Sequence, residues 1–165
     1  MTTKALFAWH ENICVLKLRG SIRFTDCPSI DRFIKAVLKQ SSDRNFMLDL
    51  TETELLDSTA LGMLAQIAID AREQGSQKPT LIIDSNDMMT LFKSVCFEQV
   101  FNIVQPDSKS DDAHFEMIEP ENVKQNELSE QVLKAHESLM QLSYGNHLSF
   151  QEIMDAIGKQ DESVS

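Results

Sequence analysis

The residues with most scope for chemistry are Asp57-Ser58-Thr59, in the stretch Leu55-Leu56-Asp57-Ser58-Thr59-Ala60-Leu61-Gly62. A carboxylate and two hydroxyls stand between an apolar run with the look of a buried strand, Phe46-Met47-Leu48-Asp49-Leu50, and a long segment of helical periodicity. This order sets a small hydroxyl side chain at a helix N-terminus. Backbone N–H groups without intrahelical partners, together with the helix dipole, favour negative charge there. A phosphate is held cheaply at such a place, so the junction points to a phosphorylation switch on Ser58 rather than to an active site. Ser58 also suits a plain helix N-cap, and Thr59 is the rival hydroxyl.

Other chemistries find little support in the chain. Cys14, Cys27 and Cys96 are far apart and make no C-x-x-C pair, and Cys14 and Cys96 read as small core residues. His10, His114, His136 and His147 lack metal-ligand spacing and read as unrelated surface or core side chains. Asp49, Asp57 and Asp84 fall near strand ends without a base, nucleophile and orienting group around them. With 5 glycines there is no Gly-rich phosphate loop. The expectation is a non-enzymatic protein with no metal and no cofactor.

Composition narrows the partners. The chain has 165 residues, 42% of them apolar, and a formal net charge of −11. Residues 106–165 hold 13 acids and 4 bases, a net of −9, whereas residues 1–105 hold 13 acids and 11 bases, a net of −2. Direct binding of nucleic acid needs a cationic face and is not expected. No apolar run approaches the roughly 20 residues of a membrane span. The stretch before Glu11 is too short for a signal peptide, so a cytoplasmic protein without membrane insertion is expected.

Alternating strands and helices must position the junction. Ala5 to Trp9 and Ile13 to Arg19 are strand-like, with Glu11-Asn12 as a tight turn and Gly20 as the expected end of the second strand. Pro28 suits the first turn of a helix striped by Ile30, Phe33, Ile34, Val37 and Leu38 and ended by Ser41-Ser42-Asp43. Phe46 to Leu50 reads as a central strand. The helix from Ser58 carries Leu61, Leu64, Ala65, Ala68 and Ala71 on one face and Gln66, Asp70, Glu73 and Gln74 on another, with Gly75 as its stop. Pro79 to Ile83, a helix from Asn86, and Val100 to Val104 complete a β-β-α-β-α-β-α-β order. Strands separated by helices imply an α/β fold with a largely parallel sheet and right-handed crossovers.

This domain is expected over residues 4–105, with a polar acidic linker over 106–122. Residues 123–158 then read as a helical hairpin. Leu128, Val132, Ala135, Leu139 and Leu142 stripe its first helix, and a Ser149/Glu152 capping box opens its second. A disordered tail is expected over 159–165. The acidic extension serves either as packing on the main domain or as a partner-binding element.

The element order, together with Asp57-Ser58-Thr59-Ala60-Leu61-Gly62, resembles the STAS domain of the anti-sigma factor antagonist family. Asp49-Leu50-Thr51 and Lys78-Pro79-Thr80-Leu81-Ile82 fit the same pattern. The resemblance implies that Ser58 is phosphorylated by a partner kinase. It also implies an anti-sigma factor, often with serine kinase activity, that is bound when Ser58 is unmodified, and a PP2C-type phosphatase that resets the switch. Ala60 stands where the family usually has glycine, which keeps a small residue. Arg23 stands where many members have aspartate, so an arginine near Ser58 would receive the phosphate through charge-assisted hydrogen bonds. Arg23, Phe24 and Thr25, with Asp57, Ser58, Thr59, Leu61 and Gly62, are the expected docking residues. Alternatives on the same fold are a transporter subunit meeting an ATPase and an adaptor for a cyclic-dinucleotide signalling enzyme.

Overall fold

The computed structural model describes residues 2–40, 45–106 and 114–142. The second helix of the expected hairpin and the tail over 159–165 lie outside the described residues, as does the Ser41-Ser42-Asp43 stop.

Strand β1 (Lys4–His10) turns at Glu11-Asn12 into β2 (Ile13–Ile22), and the two pair antiparallel. Helix α1 (Cys27–Gln40) follows a short 3-10 turn over Phe24–Asp26. Strands β3 (Asn45–Asp49), β5 (Thr80–Ile82) and β6 (Asn102–Val104) extend the sheet in parallel from β2. Helices α2 (Ser58–Glu73) and α3 (Asn86–Ser94) connect them. The resulting α/β sheet runs β6-β5-β3-β2-β1-β7 among the described residues. Its core joins Leu16 and Leu18 of β2, Leu48 of β3 and Leu81 of β5 to Ile30 and Ile34 of α1 and to Leu64 and Ile67 of α2.

Two strands were not expected. Strand β4 (Thr53–Leu56) pairs parallel with the far end of β2, which does not stop at Gly20. Gly20 sits at φ 84°, a left-handed conformation glycine tolerates, and the β2/β4 register shifts between Gly20 and Ser21. The bulge lets one long strand serve two short partners, β3 and then β4. Strand β7 (Glu116–Met117) falls inside the stretch expected as linker and pairs antiparallel with β1. The Ile118 N–H donates to the Ala5 carbonyl at 2.8 Å, and Ile118 is buried. The chain thus returns to the opposite edge of the sheet before α4 (Gln125–Leu142) begins.

Lys17 on β2 is 3% exposed, a costly position for a lone ammonium. Its Nζ lies 2.7 Å from Glu52 Oε2, and Arg19 approaches the same oxygen at 3.3 Å. Both cations hold the Glu52 carboxyl below its ordinary range, Lys17 more strongly. This ion cluster pins the loop between β3 and β4. Asp49, also buried, accepts from the Thr51 N–H at 3.0 Å and from its hydroxyl at 2.7 Å in the same loop.

Candidate functional site

The end of β4 delivers Asp57 to the mouth of α2. The Asp57 N–H donates to the Ile22 carbonyl at 3.2 Å, which fixes the junction against the end of β2. Asp57, not Ser58, is the N-cap: its Oδ1 accepts from the Ala60 N–H at 2.8 Å. Its Oδ2 accepts from the Phe24 N–H at 2.7 Å, so one carboxylate clamps α2 to the turn before α1. A cap of this kind contributes about 1 kcal/mol. Below it, burial pushes the Cys27 thiol up, with the carboxylates of Asp57, Asp26 and Asp31 adding to the shift. Cys27 therefore stays a protonated thiol.

With Asp57 capping, Ser58 becomes the first residue of α2 and its hydroxyl is released from capping duty. Ser58 is half-buried, while the rival Thr59 is 3% exposed. Ala60, the small residue in the motif, is fully buried. Leu61 is 5% exposed and belongs to the apolar core, so it presents no surface. Arg23, Phe24 and Thr25 are exposed on the neighbouring turn.

The group facing Ser58 comes from far along the chain. Nε2 of His136, on α4, lies 2.8 Å from Ser58 Oγ across a separation of 78 residues. The direction of this hydrogen bond follows the imidazole tautomer. Burial holds the His136 pKa below the ordinary 6.5, with the Asp57 charge opposing the shift. The ring is therefore neutral at pH 7. A serine and a histidine at this distance are also the start of a nucleophile–base pair. Here both Asp57 oxygens accept from backbone N–H groups, which makes the nearby carboxylate a cap.

Helix α4 lies along α2 through more than this one bond. Gly62 sits against Ala135, and a Cβ built on Gly62 would overlap the Ala135 carbonyl. Ser138 donates to the Gln66 Oε1, and Gln66 Nε2 donates to Asp70 Oδ1 at 2.6 Å. Ser58, Gly62 and Gln66 recur every four residues and so form one stripe of α2. Of the polar face of α2, Gln66 meets α4, while Glu73 and Gln74 stay exposed. Beside Ser58 an open cavity of about 640 Å³ is lined by Phe24, Thr25, Asp57, Leu128, Val132 and His136 among others. Arg23 is not among its lining residues.

Sequence reasoning missed His136. Its one signal is its place next to Ala135 on the apolar stripe of α4, where a polar residue flanks the helix contact.

Residues 7–78 match the family model for the STAS domain. The fold agrees with a solved structure, an anti-sigma factor antagonist from Mycobacterium paratuberculosis. The two superpose with a TM-score of 0.53 at 18% identity, over 62% of this chain and 85% of that one. A search of curated proteins gave no match. The matched residues include the Ser58 junction. Helix α4 lies beyond them.

Among the described residues, no helix is long and apolar enough to cross a membrane.

Proposed function

We propose that this protein is an anti-sigma factor antagonist whose partner binding is set by phosphorylation of Ser58. The observation that carries the reading is the released Ser58 hydroxyl at the first position of α2, beside a cap already satisfied by Asp57. A phosphate there adds about −1.5 to −2 charges and three acceptor oxygens without removing any capping bond. The fold need not change; the docking surface does. Phe24, 42% exposed, and Leu55, 48% exposed, flank Asp57 and give a partner an apolar foothold. Unmodified, the face takes an anti-sigma factor with serine kinase activity. Modified, it sets a dianion next to the Asp57 carboxylate and repels an apolar or acidic partner surface. A PP2C-type phosphatase restores the hydroxyl. The protein acts by binding in the cytoplasm and performs no catalysis of its own.

The test is phosphopeptide mapping of protein taken from cells across growth conditions, with partner capture by Ser58→Ala and Ser58→Asp. The expected result is a phosphate on Ser58 and two different partner sets. A Ser58 that is never modified, with identical partners for both variants, overturns the reading.

A further inference from the structure

We propose that α4 is a built-in cover of the Gly62 and Gln66 stripe of α2, beside the face that takes the partner, and that a phosphate on Ser58 expels it. The proposal rests on Ser58 being the modified residue.

Three seats hold α4 along one stripe of α2. His136 meets Ser58, Ala135 meets Gly62, and Ser138 meets Gln66. The middle seat is steric and the outer two are hydrogen bonds. Leu139 of α4 is fully buried in the main core, so the helix is seated on the domain, not merely resting near it.

Phosphorylation acts on the first seat. A kinase forms a bond between Oγ and phosphorus, breaks the terminal phosphoanhydride of a nucleoside triphosphate, and the hydroxyl proton departs. The phosphoryl group must then stand where the His136 ring stands or turn into the adjoining cavity. That cavity offers Phe24, Leu128 and Val132 beside the Asp57 carboxylate, with Thr25, Gln125 and Ser129 as neutral polar side chains, and among the described residues its lining includes no lysine or arginine. A dianion there has the α2 N–H groups but also a facing carboxylate and no cation while α4 is closed, and it gains hydration and distance from the apolar lining once α4 has lifted. Burial keeps His136 neutral, which leaves no preformed cation to hold the charge. Lifting α4 exposes Gly62 and the polar stripe, a surface that the unmodified protein hides.

The experiment is hydrogen exchange by mass spectrometry on the full chain with phosphoserine installed at position 58 by genetic encoding. Gly62→Ala is the reference for a lifted helix, since its new methyl overlaps the Ala135 carbonyl. The expected result is at least tenfold faster exchange over residues 125–142 in the phosphoserine protein, near that of Gly62→Ala, with β2 and β3 unchanged. Exchange over 125–142 that is unchanged or slower overturns the proposal, for the phosphate is then accommodated beneath a closed helix. Should phosphoserine loosen the sheet as well, Ser58→Asp is measured by the same criterion. Because the phosphate is installed, this result is independent of whether cells modify Ser58, and a failure here leaves the proposed function standing.

Discussion

Helix α2 is packed by two unlike neighbours. Toward the sheet, Leu64, Ile67 and Ala68 share one apolar cluster with Leu16, Leu48 and Leu81. Toward α4 it offers a hydroxyl, a bare backbone and an amide: Ser58, Gly62 and Gln66. Burial of the first kind scales with area and responds to no signal. The second kind adds to the burial of Leu139 hydrogen bonds worth a net 0.5 to 1.5 kcal/mol each, roughly, and a close approach that a single methyl spoils. The comparison teaches where a switch can be placed. A modification on the sheet side would unfold the domain; one on the α4 side changes only what covers it.

The comparison can be broken from the sheet side first. Leu64→Ala, at a fully buried position, is expected to cost about 2 to 5 kcal/mol of global stability. Urea denaturation followed by circular dichroism measures it, and a cost below about 1 kcal/mol would remove the distinction between the two sides. On the α4 side, Gly62→Ala is expected to strip protection from residues 125–142 while global stability falls only slightly. Alanine exceeds glycine in helix propensity by about 1 kcal/mol, which offsets part of the lost contact. His136→Ala removes one hydrogen bond and is expected to weaken α4 docking by about 1 kcal/mol, read as faster exchange confined to α4.

The smallest effect is that of pH. The docked imidazole has a pKa lowered by burial from 6.5, against a facing Asp57 that offsets part of the shift. The undocked ring binds a proton first as the pH falls below 6.5, so docking is fully present above that value. It weakens as the pH drops toward the lower, docked pKa. Exchange in α4, corrected for intrinsic rates, is expected to quicken from pH 7 to pH 5 in the wild type. In His136→Gln it should stay flat.

Much of the sheet side was legible in the sequence because it is periodic. The stripes of α1 and α2 and the apolar run of β3 gave the fold class and the junction at Ser58. Strand β4 was not legible, for Thr53-Glu54-Leu55-Leu56 is short and half-exposed and depends on a bulge at Gly20 of its partner β2, more than 30 residues earlier in the chain. Two-residue β7 had no pattern to show. The exchange of roles between Asp57 and Ser58 turns on a single residue of helix start, below the resolution of spacing arguments. Gly62 was legible as part of a motif, yet its physical task, admitting Ala135, belongs to a helix contact formed across the fold. His136 carries the same lesson: its place beside the apolar stripe of α4 says nothing of a partner 78 residues away.

The central claim is that one hydroxyl, once charged, decides what may bind beside it. The most direct measurement is the dissociation constant of an anti-sigma kinase, captured from the same cells, for the unmodified protein and for the protein carrying phosphoserine at position 58. The account predicts at least tenfold weaker binding of the phosphorylated form. Equal affinity for both forms would contradict it.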